Sequence, residues 1–206
     1  MKSLSYIQNF SRRRALIVSS DERATERLDT SLVRMGVQVE YADIRCDCVD
    51  LSAYKLSTNK DVLFLDGDLN TTIQIPRHSH TDIVLIPVIG MVGIEAPSRL
   101  NRLHTYGATA FIKKPVHAGT VFFNLSLAVN RHQQILNLSL EIQDHMVRRR
   151  LRRYVIKAIL LVMEQHKLSD EQAYEWLRKQ SMDHQMSLEE LAKQLVLAHD
   201  ERVTVM

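Results

Sequence analysis

The residues best placed for chemistry are carboxylates and lysines that follow short apolar runs. Asp66 closes the run DVLFLD, Asp21 and Glu22 follow ALIV after Ser19 and Ser20, and Lys113 and Lys114 precede Pro115 at the end of ATAFIKKP. If these runs are parallel strands wrapped by helices, their carboxyl ends are where ligands and chemistry collect. The windows to inspect are then Ser19 to Glu22, Asp66 to Asp68, Pro87 to Gly90 and Lys113 to Pro115. A second concentration is cationic: RRRLRR at 148–153 sets five arginines within six residues. On a helix such a block attracts phosphates in a strongly salt-dependent way.

The charge is unevenly spread. From Arg131 to Lys157 there are seven basic and two acidic residues, net +5, and from Lys167 onward five basic and eight acidic, net −3. The chain as a whole is only +3, too little to announce a nucleic-acid partner by itself. A charge run is ordinarily a solvated face, but few acids lie near this one, which suits phosphate-backbone contact through Arg149 and Arg153. Tyr174, Arg178 and Ser181 fall at i, i+4 and i+7, one stripe beside an apolar face of Ala173 and Leu177. A ring and a guanidinium on one exposed stripe suit the splayed bases of single-stranded RNA. The ordinary alternative is that Tyr174 is half-buried packing and Arg178 pairs with Asp170, Glu171 or Glu175.

Other chemistry is poorly supported. Cys46 and Cys48 are too close to bridge comfortably and have no further ligands for a zinc set. The HSH at 78–80 sits in a loop without carboxylates or cysteines at ligand spacing, so no metal site is expected. No nucleophile and base stand out, and an enzyme is not expected.

The elements that position these residues are legible in the periodicity. VQVEY (37–41), DVLFLD (61–66), DIVLIPV (82–88) and ATAFIKKP (108–115) read as strands beside ALIV (15–18), and residues 24–35 as a helix stopped by Gly36. Strand and helix alternate, which argues for a doubly wound α/β sheet. After Pro115 a helical pattern runs from about Gly119 to about His166. Val147, Leu151, Tyr154, Ala158 and Leu161 keep four-and-three spacing, the seam of a coiled coil and most simply of a dimer. Ser169 with Gln172 and Ser187 with Glu190 each make a capping box, opening two short amphipathic helices that complete a three-helix bundle around Trp176. With 206 residues, 45% hydrophobic and 25% charged, the chain has room for one ordinary domain and a smaller one. No apolar run approaches the roughly 20 residues needed to cross a bilayer. The N-terminus lacks a signal-peptide core, so a cytoplasmic protein without a membrane partner is expected.

Two resemblances follow. The carboxyl third, through AILLVMEQHKLS, DEQAYEWLRKQSM, MSLEE and LAKQLV, resembles the AmiR/NasR transcription antitermination regulator (ANTAR) domain, an RNA-binding module. The family's alanine and methionine of the first helix correspond to Ala158 and Met163. Its alanine, leucine and arginine of the second fall on Ala173, Leu177 and Arg178, with Ser181 and Met182 after them. The lysine and small residue that usually follow the first alanine are here Ile159 and Leu160, so the basic contact either moves to Lys157 or Arg153 or is absent. The resemblance implies RNA contacts by Lys157, Tyr174, Arg178, Lys179, Ser181, Met182, Arg149 and Arg153. It also implies hairpins in a nascent mRNA leader as ligand and a homodimer.

Residues 12–130 resemble a response-regulator receiver. That fold implies a flavodoxin-like, doubly wound, parallel five-stranded sheet, with Asp66 as phospho-acceptor and Lys114 as its lysine. The receiver's acid pair for Mg²⁺ is replaced by Ser19 and Ser20, with Asp21 arriving one step late, and the hydroxyl expected near Pro87 and Val88 is missing. The resemblance thus implies degenerate chemistry and no resident Mg²⁺, with Asp66 reduced to a surface carboxylate and Lys114 to a loop residue. The expected organisation is a receiver-like domain at 12–120, a coiled-coil helix at 121–150 and an ANTAR domain at 151–200. This order is similar to the amidase-operon regulators of the family, which a ligand-binding protein sequesters, so a ligand-sensing repressor is the expected controller. Two rivals remain: a phosphorylation-switched regulator driven by a histidine kinase through Asp66, and a DNA-binding helix-turn-helix. The six residues read between the last two helices exceed the three or four of that motif.

Overall fold

The computed structural model describes residues 6–44, 48–79 and 81–204, the last four by backbone alone; Cys46 and His80 fall outside these ranges. The chain divides into two compact units, residues 1–139 and 140–206.

The first unit is built on strands whose side chains alternate between two apolar faces. β1 (Arg14–Val18), β2 (Gln38–Tyr41), β4 (Asp61–Asp66), β6 (Val88–Val92) and β7 (Ala108–Lys113) form one parallel sheet in the order β2-β1-β4-β6-β7. Counting only these strands, the order is 2-1-3-4-5, that of the flavodoxin-like doubly wound fold. Period-two alternation sends Ala15, Ile17, Val62 and Phe64 to one face, where Leu28 and Leu32 of α1 (Glu22–Arg34) and Val121 and Leu125 of α3 (Ala118–His166) cover them. Leu16, Val18, Leu63 and Leu65 go to the other face, with Leu103 of α2 (Pro97–Thr105). Each of the larger side chains here, fully buried, contributes about 1.5–3 kcal/mol of hydrophobic stabilisation. A separate parallel pair, β3 (Cys48–Asp50) and β5 (Thr72–Gln74), was not legible in the periodicity.

α1 shows how local sequence sets the ends. Asp21 caps its first turn by accepting from the Ala24 N–H. At the other end Gly36 takes φ 73°, with Gly36 N–H on the Val33 carbonyl and Val37 N–H on that of Leu32, a Schellman stop. The fourth strand of the sheet is displaced from its expected place at 82–88 and begins at Val88. Pro87 has no N–H to give the ladder and offers only its carbonyl, which accepts from Leu63 N–H at 2.9 Å; the run before it, with Val84 and Ile86 buried, pairs instead with residues 76–78, Leu85 N–H on the Pro76 carbonyl at 2.8 Å.

In the second unit the end of α3 packs with α4 (Asp170–Asp183) and α5 (Leu188–Thr204). Ala158, Val162, Ala173, Leu177, Leu191, Ala192 and Val196 form the core, with Trp176 partly buried against it. Both capping boxes are present: Ser169 Oγ accepts from Gln172 N–H at 3.3 Å and Ser187 Oγ from Glu190 N–H at 3.2 Å. Two expectations change here. Tyr154, Ala158 and Leu161 of the heptad seam turn inward onto this unit's own core, because four-and-three spacing cannot say whether the partner helix belongs to the same chain. And α4 continues to Asp183, leaving four residues before α5, so loop length gives no argument against a helix-turn-helix. Among the described residues no helix is long and apolar enough to cross a membrane.

Candidate functional site

The carboxyl ends of β1, β4, β6 and β7 bring together a cluster of acids around one ammonium. Asp66, the last residue of β4, is buried, not a surface carboxylate as expected. Lys114 lies one residue beyond β7, with its side chain only 9% exposed, and is no loop residue in solvent. Its Nζ donates to Asp66 Oδ2 at 2.7 Å and Oδ1 at 2.8 Å and to Asp68 Oδ2 at 3.1 Å, and approaches Asp21 Oδ2 at 3.3 Å. Ser19 Oγ donates to Asp66 Oδ2 at 2.6 Å, and Asp68 N–H to Asp66 Oδ1 at 2.9 Å. Every lone-pair direction of Asp66 that faces the cluster is therefore taken.

Asp68 is the residue sequence reasoning underweighted. Its Oδ2 accepts from the Gly93 N–H at 2.9 Å and its Oδ1 pairs with Arg99 of α2. Gly93 is required there, because a Cβ would stand 2.7 Å from that oxygen. Gly93 and Val92 close the fourth strand, so the missing hydroxyl is missing at this corrected position as well. Arg102, one turn on, donates to the carbonyls of Gly67 and Leu69 and braces the loop that carries Asp68. The signal that could have found these arginines is their i, i+3 spacing on a helix without acids.

The electrostatics agree with a satisfied network. The Ala24 N–H, with Lys114, holds the Asp21 carboxyl below its usual range. Burial pushes Asp68 upward, but hydrogen bonds from Lys114 and Gly93 and the charges of Lys114 and Arg99 outweigh it and leave it lowered. For Lys114 burial acts downward and is overcome by the hydrogen bond and charge of Asp66, so its ammonium is stabilised.

This donor set does not fit a resident Mg²⁺, which wants near-octahedral oxygens and keeps several waters. Asp66 is saturated by Lys114, Ser19 and a backbone N–H, Asp68 is held by Arg99 and Gly93, and Asp21 is spent on its helix cap. Among the described residues no group of three or more metal-ligating side chains is positioned around an ion.

The second unit presents the other candidate surface. Tyr174, Arg178, Lys179 and Met182 are exposed on α4, with Met182 69% exposed and Arg178 only loosely paired with Glu175 at 3.7 Å. Ser181 departs from the expected stripe: it is buried, and its Oγ donates to the Arg178 carbonyl at 2.8 Å. On α3, Arg149, Arg152, Arg153 and Lys157 are exposed. Arg148 pairs with Asp144 at 3.0 Å, and the Arg153 guanidinium lies 5.0 Å from the ring centre of Tyr154. His78 is half-buried and Cys48 exposed, and neither has metal-ligating neighbours.

Residues 147–196 match the ANTAR domain family. The transcriptional regulatory protein PdtaR of Mycobacterium tuberculosis is 22% identical over 128 residues, which cover 59% of this chain and 62% of that protein, less than two thirds of its length. Among solved structures, full-length FixJ from B. japonicum is 17% identical, covering 88% of this chain and 94% of that one with a TM-score of 0.42. A two-component response regulator from Clostridium difficile is 18% identical, covering 58% and 96% with a TM-score of 0.41.

Proposed function

We propose that this chain is an RNA-binding transcription antiterminator that engages hairpins in a nascent mRNA leader and keeps a terminator from forming. The observation that carries the reading is the coincidence of the ANTAR match with a folded three-helix unit whose exposed residues include Tyr174, Arg178, Lys179 and Met182. Base stacking on Tyr174 and the Arg178 plane supplies selectivity for an unpaired loop. Arg149, Arg153 and Lys157 add salt-dependent contacts to the backbone. Ser181, buried under the helix, supports Arg178 and makes no contact of its own.

The protein acts as a homodimer through the exposed apolar residues of α3, Leu138, Ile142, Met146 and Val147 among them. Control comes from a sequestering, ligand-sensing protein, because the carboxylates that would accept phosphate and metal are already hydrogen-bonded and ion-paired within the chain. The test is a salt series with stem-loop RNA from the chain's own operon leader, beside DNA of the same sequence. Selective hairpin binding that survives moderate salt, and that weakens about tenfold or more in Tyr174→Ala and in Arg178→Ala, supports the reading. Equal, steeply salt-dependent binding to every nucleic acid overturns it.

A further inference from the structure

At the amino ends of β1 and β4, opposite the acidic cluster, the first unit carries an open cleft of about 740 Å³. Its floor is a closed network. Arg14 Nε and Nη2 each meet Asp61 at 2.9 Å, Nη1 meets Glu40 at 2.8 Å, and Nη2 also reaches the Tyr54 carbonyl at 3.2 Å. Buried Asp61 further accepts from the Ser57 N–H at 2.6 Å, and the Lys60 carbonyl accepts from Arg14 N–H at 2.8 Å. The turn that carries Ser57 and Lys60 is thereby fixed to the sheet.

The floor uses up the carboxylate that lines the cleft and leaves the walls cationic. Arg12, Lys55 and Lys60 line it with the hydroxyl residues Ser11 and Ser57, and among the described residues none of the three cations has an ion-pair partner. Lys55 ends the short helical turn at residues 51–54. Its backbone is left-handed, at φ 47° and ψ 55°, a conformation that Gly or Asn adopts with less strain. Lys167 and Gln185 take the same backbone just past α3 and α4, so this φ marks a helix stop; what matters for the cleft is that the stop sets Lys55 among its lining residues.

We propose that this cleft binds a small phosphorylated molecule bearing several negative charges, its phosphates held by Arg12, Lys55 and Lys60 and hydrogen-bonded by Ser11 and Ser57. The volume lies within the range of small-molecule sites, and a concave wall of one sign concentrates anions. With no apolar or aromatic side chain among its lining residues, the cleft recognises the phosphates themselves.

The test is calorimetric titration of inorganic tripolyphosphate into the full chain, with orthophosphate as comparison. Saturable binding of tripolyphosphate is expected, weakened about tenfold or more in Arg12→Gln/Lys60→Gln, since hydrogen bonds to charged groups are among the stronger ones. Arg23→Gln/Arg34→Gln removes the same charge from exposed positions of α1 and is expected to leave the affinity unchanged. Lys55→Asn is expected to lower the affinity while the thermal midpoint holds or rises, because Asn relieves the strain; a mere folding defect would lower both. The proposal is overturned by an absence of saturable binding, by equal losses in the two double variants, by no loss in Arg12→Gln/Lys60→Gln, or by Lys55→Asn binding as tightly as the unaltered chain.

Discussion

Replacing Lys114 by methionine isolates what holds the acidic cluster together. The side chain keeps its apolar stem and loses the terminal ammonium, so Asp66, only 2% exposed, is left with the Ser19 hydroxyl and one backbone N–H in place of an ammonium on both oxygens. Asp68 keeps Arg99 and the Gly93 N–H, and Asp21 keeps its helix cap, so the loss concentrates on Asp66. Removing one partner of a buried pair costs about 3–5 kcal/mol, because it strands a desolvated charge. Asp66→Asn should cost less, since Lys114 retains Asp68 and Asp21 within 3.1 and 3.3 Å. Lys114→Met/Asp66→Asn should recover at least about 1 kcal/mol of the Lys114→Met loss, because it removes the stranded charge. Urea unfolding provides the assay with an internal control: the single tryptophan, Trp176, packs in the second unit, so its fluorescence follows that unit while far-UV dichroism follows both. The Lys114→Met transition should shift in dichroism with the tryptophan transition in place. A loss below about 1 kcal/mol, the range of a surface pair, or a double variant no more stable than Lys114→Met, would refute the account of Asp66 as a buried carboxylate held by Lys114.

Three further outcomes are expected. Mg²⁺ titrated into the chain should give no saturable signal, whereas Ser19→Asp/Ser20→Asp/Arg99→Ala, which supplies oxygens and frees Asp68, should gain one; sub-millimolar Mg²⁺ binding by the unaltered chain would falsify the metal-free reading. Ser169→Ala should cost about 1 kcal/mol, read in the Trp176 transition alone, because it removes the hydroxyl that accepts from the Gln172 N–H. The pH prediction concerns His132, buried on α3 with Nε2 at 2.9 Å from the Val84 carbonyl: burial lowers its pKa, the hydrogen bond opposes this only in part, and His78 and Arg13 lower it further. A basic group lowered on folding binds more protons when unfolded, so stability of the first unit should fall as pH drops through the unfolded value near 6.5 and below. His132→Gln should flatten that slope, and an equal slope in the variant would assign it elsewhere.

The residues that the sequence revealed and those it hid differ by what determines them. Asp66 and Lys114 were legible because each ends an apolar run, and a strand's end is set by local pattern. Gly36 and the serine caps were legible for the same reason. Arg99 and Arg102 were not, because they meet the Asp66–Leu69 loop only after α2 docks on the sheet, across more than thirty residues of chain. The fourth strand was misplaced since Val84–Ile86 is as apolar as a strand; Pro87 withholds an N–H from the ladder, and the run pairs instead with residues 76–78, through Leu85 N–H on the Pro76 carbonyl and an antiparallel bridge from Arg77 to Val84. Ser181 was put on the surface by counting i+7 from Tyr174, although the same count sets it one turn beyond Leu177 on the buried side.

The cluster also bears on how such a unit can be controlled. A phosphate-driven switch needs an element with two arrangements, and a ligand that interacts differently with each. Here Lys114 and Arg99 already supply positive charge to Asp66 and Asp68, and Ser19 closes the remaining side. A metal ion and a phosphoryl group would first have to displace those partners, at the cost of breaking a buried ion pair, and would then neutralise carboxylates that are neutralised already. The differential free energy available to phosphate is correspondingly small. Ser19, Lys114 and Arg99 thus act on Asp66 and Asp68 where an external cation would otherwise have to act, which leaves phosphate little with which to shift the balance.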